Sequence, residues 1–244
     1  MNAKGQIAIF VIVGVLIAAA VLFVFLIDRT PRITRGQDFD NPESYIDNCI
    51  REQAKKEINN LMSHAGFPDA IDSVMYDGVA ITYLCKNVNY YQPCVVQYPL
   101  YVSQVKDELV KQFEDNVQGC FASLEQELTK RNYIVDAGEI TISASIKPSL
   151  THIGVERQFT VTKDGSSRSY NRFDSFVNTH LFELASIAQE IISQESQFCY
   201  FSNDGFMALY HDFDIRKDVL GDSTKIYTIE SKKTKEKLTM AIRG

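Results

Sequence analysis

EITISASIKPSLTHIGVERQFTVTKDGSSRSYNR (Glu139–Arg172) decides the fold class. From Glu139 to Ile146 apolar and polar residues alternate with a period of two, which places one face of a strand in a core and the other in water. Pro148 lies in the connection to a partner strand, His152 to Thr162, and Lys163-Asp164-Gly165 turns the chain into a further strand, Ser167 to Arg172. These strands follow one another through turns, so the regular βαβ alternation of a doubly wound sheet is missing. The class is α+β.

The flanking chain extends the pattern in both directions. Upstream, Asp72 to Tyr76 and Val79 to Cys85 flank Asp77-Gly78, a hairpin signal. Downstream, Phe173, Val177, Leu181, Leu184, Ala188 and Ile191 form one face of an expected helix. Strands are expected at Ala208 to Ile215, Lys225 to Glu230 and Lys237 to Ile242, with the basic run KKTKEK in an exposed hairpin turn. Two further amphipathic helices flank this hairpin in sequence. One is capped by Asn41 with Pro42 at N1, ends at Gly66, and has the face Ile46, Ile50, Ala54, Ile58, Leu61 and Met62. The other runs from Val102 to near Lys130 with the face Val105, Leu109, Phe113, Val117, Cys120, Leu124 and Leu128.

Cys49 and Cys120 fall on these two apolar faces, so antiparallel packing of the helices would allow a disulfide between them. Closing that loop of roughly 70 residues adds about 4 kcal/mol in the chain-entropy model. CKNVNYYQPC, Cys85 to Cys94, is short enough to be closed by its own bridge, which leaves Cys199 over. The pairing is a geometric choice among several, and the competing state is five reduced, buried thiols in a cytoplasmic domain. No CxxC or paired Cys and His spacing calls for zinc, and neither a metal nor another cofactor is expected.

At the amino end, Ile7 to Ile27 carries no charge, and as a helix at 1.5 Å per residue it would span about 31 Å, matching the ~30 Å hydrocarbon core of a bilayer. The organisation expected is a signal and single transmembrane anchor over 1–27, a linker over 28–40, and a mixed domain over 41–244 with a subdivision near 135. Lys4-Gly5-Gln6 directly before the apolar run resembles the class III, type IV pilin-like signal of archaea. The resemblance implies a prepilin-type peptidase that cuts after Gly5 on the cytoplasmic side, leaves Gln6 as the new terminus, and keeps residues 7–27 in the bilayer. The order of anchor, Cys-bearing helix (NPESYIDNCIREQAKKEINNLMSHAGF) and mixed domain also resembles a group of anchored proteins of small-genome archaea, which implies no activity.

Two departures argue against filament assembly. Phe10 stands where many pilins carry a glutamate that pairs with a neighbouring subunit, and Asp28-Arg29-Thr30-Pro31 with Gly36 interrupts the helix at the membrane surface. Gly14 and Ala18 form a small-xxx-small pair through which two anchors could pack as a homo-oligomer. Topology draws opposing signals. Arg29, Arg32 and Arg35 favour a cytoplasmic domain by the positive-inside rule, whereas peptidase processing requires Lys4 inside and the domain outside. The processing motif is given the greater weight, which puts the protein in the cell membrane with its carboxyl domain extracytoplasmic.

The formal charge of −6 and pI near 5.3 disfavour nucleic acid as a partner. GxSxG, HExxH, GxxxxGK[ST] and GxGxxG do not occur, so no catalytic residues are assigned. Cys199 with His211 is a thiol and base in name only, and His64 and His180 read as structural. Asp38-Phe39-Asp40 and Asp212-Phe213-Asp214 place carboxylates on one face of an extended chain, but neither continues as a calcium loop. Tyr76, Tyr83, Tyr90, Tyr91, Tyr98 and Tyr101 cluster in sequence, and Tyr90-Tyr91 inside the cysteine loop is the candidate for binding a surface protein partner. The function expected is a membrane-anchored, pilin-like cell-surface protein with a structural or interaction role. The alternative is a membrane-tethered hydrolase or thiol/redox enzyme using Cys199 or the Asp212 and Asp214 pair.

Overall fold

Asn41 starts the first helix, α1 (Pro42–Ser63), by accepting a hydrogen bond from the Ser44 N–H at 3.3 Å, with proline in the first turn where no donor is needed. Gly66 ends it at φ 82°, its N–H bonded to Leu61 O. A side chain here would stand 2.6 Å from Val105 Cγ2, so glycine also permits the close approach of the next helix. The computed structural model describes residues 41–244 apart from 70, 71, 88, 90 and 91. The expected anchor over 7–27, the processing residues Lys4, Gly5 and Gln6, and the Tyr90-Tyr91 pair therefore lie outside the described residues. Among the described residues no helix is long and apolar enough to cross a membrane.

The second helix, α2 (Tyr101–Lys130), buries Val105, Leu109, Phe113, Val117, Phe121, Leu124 and Leu128 along one stripe and packs this stripe against α1. Each such side chain contributes about 1.5–3 kcal/mol by leaving water. Leu109→Ala would cost about 2–5 kcal/mol because the cavity cannot fully collapse. A third helix, α3 (Leu181–Phe198), buries Leu184, Ala188 and Ile191, and a short fourth, α4 (Asn203–Leu209), is capped by Ser202.

Among the described residues ten strands form two sheets. The first contains β1 (Ser73–Tyr76), β2 (Val79–Lys86), β3 (Val95–Val96), β8 (Phe213–Val219), β9 (Lys225–Ser231) and β10 (Lys237–Arg243), in the order β1-β2-β10-β9-β8 with β3 also on β2. All its pairs are antiparallel except β2 with β10, which joins the two halves of the chain in parallel. The second contains β4 (Ile134–Ala137), β5 (Thr141–Lys147), β6 (Leu150–Lys163) and β7 (Ser166–Val177). β6 is its spine: β5 and β4 pair with successive stretches of one edge and β7 with the other, all antiparallel. A register shift between Glu156 and Phe159 marks the passage from β5 to β4. Arg157 fixes it, donating from Nε to Gly138 O at 2.9 Å, pairing with Glu125 at 2.8 Å, and lying over the Phe121 ring.

Asp77-Gly78 and Asp164-Gly165 both adopt positive φ and close their hairpins in two residues. α1, α2 and α3 contribute to one core with both sheets, and the described residues from Asn41 onward group as a single unit. The fold is thus α+β, with four helices among the described residues where three amphipathic ones were expected.

Two boundaries differ from the sequence reading. Phe173 and Val177 belong to β7, not to the third helix, which starts only at Leu181. Their spacing of four fits a strand face as well as a helix face, and pairing with the long β6 decides for the strand. The strand expected at Ala208–Ile215 begins at Phe213, because Ser202 accepts from Gly205 N–H and nucleates α4.

Candidate functional site

The outer face of the four-stranded sheet gathers polar side chains over a glycine. The ladder sets Ser143 opposite Gly154 and Gly154 opposite Asp174, with Ser145, His152 and Phe176 in the neighbouring row and Thr141, Glu156 and Arg172 in the next. Arg172 Nε donates to both oxygens of Asp174, at 3.1 and 2.9 Å, and His152 Nε2 donates to Asp174 Oδ1 at 2.7 Å. The imidazole stacks on Phe176 with ring centres 4.7 Å apart. A Cβ on Gly154 would lie 3.0 Å from Ser143 Oγ and 3.4 Å from both Arg172 Nη2 and Asp174 Oδ1. Glycine thus leaves a shallow floor around which these groups converge. Hydrogen bonding to Arg172 holds the Asp174 carboxyl below the usual range, with smaller help from His152 and against the effect of burial.

This face continues into a cleft of about 450 Å³ lined by Asn41, Glu43, Ser44 and Asp47 of α1 and by Arg172, Phe173 and Asp174 of β7. The arrangement offers hydrogen-bonding and ionic contacts to a polar partner. His152 and Asp174 were not singled out from the sequence. Only the strand register brings them together, across a sequence separation of 22.

A second polar group is internal. Glu195 sits on the buried face of α3, where its spacing from Ile191 and Ile192 is the sequence signal that would have found it. Lys225 Nζ donates to Glu195 Oε2 at 2.5 Å and to Cys199 O at 2.8 Å, and Tyr227 donates its hydroxyl to Glu195 Oε1. Burial, followed by the Glu195 hydrogen bond and charge, pushes the Tyr227 phenol far above its ordinary range. This cluster ties the end of α3 to β9.

A third surface is apolar. Phe182, Ile187, Phe206, Leu209, Tyr210 and Phe213 line a cleft of about 620 Å³ between α3 and α4.

The residues singled out from the sequence are dispersed. Cys199 takes the left-handed cap position after α3 at φ 53°, and among the described residues no hydrogen bond joins it to His211. Asp212 pairs with Lys233 at 2.8 Å, and Asp214 lies opposite Glu230 across the β8–β9 ladder. His180 is the residue before α3, not part of its apolar face. Its N–H donates to Glu236 Oε2 at 2.8 Å, which Thr234 Oγ1 also reaches at 2.7 Å. His64 caps α1 through Nδ1–H to Asn60 O at 2.8 Å. Among the described residues no group of three or more His, Cys, Asp or Glu side chains could hold a metal ion.

The described tyrosines of the cluster are largely structural. Tyr101 is buried and donates to Ala65 O, Tyr98 stacks on Phe67, Tyr83 meets Thr224, and Tyr76 donates to Asp218. The cysteines pair as Cys49 with Cys120, bridging α1 and α2, and Cys85 with Cys94, closing the loop between β2 and β3. Cys199 is free.

Comparison with protein-family models, with curated proteins and with solved structures found no match to this chain.

Proposed function

We propose that this chain is a membrane-anchored, pilin-like cell-surface protein whose α+β domain stands outside the membrane and has a structural or interaction role. The observation that carries the reading is the pair of disulfides. Cys49–Cys120 joins residues 71 apart in sequence and Cys85–Cys94 residues 9 apart, and such bridges persist in oxidising compartments. The uncharged run Ile7–Ile27 supplies the anchor, and Lys4-Gly5-Gln6 supplies the processing site and the orientation. The exposed polar face around Arg172 and Asp174 suits recognition of another macromolecule. The test is intact-mass measurement of the protein from native membranes, together with protease treatment of whole cells. A mature chain beginning at Gln6, with its domain digested from outside, is expected. A chain that retains residues 1–5 and is protected until the membrane is broken would sink the reading.

A further inference from the structure

Along α3, Glu183, Ile187, Glu190, Gln194 and Phe198 follow one another at steps of three and four, so they form a single stripe about 22 Å long at 1.5 Å per residue. The first four line the apolar cleft of about 620 Å³, whose other wall is Phe206 and Leu209 of α4, Tyr210 beyond it and Phe213 of β8. Large apolar side chains stay in water at its margins. Phe198 is 69% exposed, Leu209 78% and Tyr210 54%. A groove edged in this way is the mark of a docking site rather than of an ordinary solvated surface. Phe198 continues the stripe beyond the lining of the cleft, so a small ligand seated there would leave it in water, whereas a long partner would cover it.

We propose that this groove takes an amphipathic, lysine- or arginine-bearing helix of another protein, laid along α3 with its apolar side chains between α3 and α4. Charge selects this occupant. Glu183 Oε1 accepts from Ser149 N–H at 2.8 Å and from Ser149 Oγ at 3.0 Å, and Glu190 Oε1 accepts from Gln194 Nε2 at 2.7 Å. These donors are neutral. Among the described residues no cation pairs with either carboxylate, and no Lys, Arg or His lines the cleft. Glu190 is exposed at the rim and can be met directly, while Glu183, half-buried and without a counter-ion, adds its field. A basic side chain on the incoming helix is therefore attracted and an acidic one repelled. Two-fold pairing of copies through this groove would set Glu183 and Glu190 against their counterparts, and the phosphates of a lipid surface would meet the same repulsion.

This inference rests on the interaction role proposed above and gives the partner's chemistry at a separate surface. The test is selection from a displayed library of amphipathic helices, each about 16 residues long to match the stripe, on the full chain in phosphatidylcholine nanodiscs after depletion on empty discs. Enriched sequences should carry Lys or Arg beside their apolar face. A synthetic copy should lose about tenfold in affinity on L209S, about tenfold on E183Q/E190Q, and most of its binding when a central residue is replaced by proline. No enrichment, enrichment of acidic or uncharged helices, or binding indifferent to these variants or to the proline would each overturn the proposal. So would self-association of the chain that L209S abolishes, because a second copy would then fill the groove. Circular dichroism checks the variants, and the exposed Glu190→Gln alone serves if the double variant is misfolded. Binding in nanodiscs is blind to membrane side, so a cytoplasmic domain would defeat the localisation and leave this result standing. A failed selection would sink the helix partner and leave the anchor and its processing to their own test.

Discussion

The two sheets of this domain use water differently. In the six-stranded sheet the central strands bury successive residues, as at Ile226, Tyr227, Thr228 and Ile229 of β9 and Met240, Ala241 and Ile242 of β10, so both faces are closed. In the four-stranded sheet β7 alternates, with Phe173, Ser175 and Val177 inward and Arg172, Asp174 and Phe176 outward. The closed sheet, with the helices, holds the fold. The open one can be altered at its outer face without disturbing the core, and recognition can reside there.

That contrast predicts a ladder of stability effects, read by denaturant unfolding of the full chain in micelles. Replacing Cys49 and Cys120 with serine should cost about 4 kcal/mol, and Cys85 with Cys94 about 3 kcal/mol, because the first closes the longer loop. Equal losses would show that the bridges act through the native state instead.

Lys225→Met leaves Glu195 buried with Tyr227 as its remaining side-chain partner, and should cost about 3 kcal/mol, the lower end for a broken buried pair because the lysine still reaches water. A loss under about 1 kcal/mol would place Glu195 in a far wetter environment than its burial indicates.

On the open face, Arg172→Ala should change stability little at neutral pH, because its ion pair with Asp174 lies in water. Its signature lies at low pH. Asp174 has a depressed folded pKa, so its contribution is complete above the unfolded value of about 3.9 and fades as pH falls through the folded one. Arg172→Ala should therefore flatten the loss of stability below about pH 4. An unchanged acid profile would mean that His152 alone holds the carboxylate.

The sequence made the local half of this architecture readable. The Asp-Gly turns, the capped α1 and the stripe of α2 follow from short-range chemistry, and the two helix faces place Cys49 and Cys120 within reach of each other. The parallel pairing of β2 with β10 was not readable, since no local pattern encodes which distant strand lies alongside. β4 and α4 are too short for periodicity to register, and Phe173 and Val177 fit both periods. The cluster at Asp174 was hidden for a related reason. Ser143, His152 and Arg172 come from three strands, and only the register makes them neighbours.

The central claim is that the domain folds outside the membrane, stapled by its cysteines. Mass spectrometry of unreduced peptides from native membranes, after labelling whole cells with a membrane-impermeant maleimide and denaturing the surface protein, tests it most directly. The account predicts Cys49 linked to Cys120, Cys85 linked to Cys94, and label on Cys199 alone. Five free thiols, unlabelled until the membrane is broken, would contradict it.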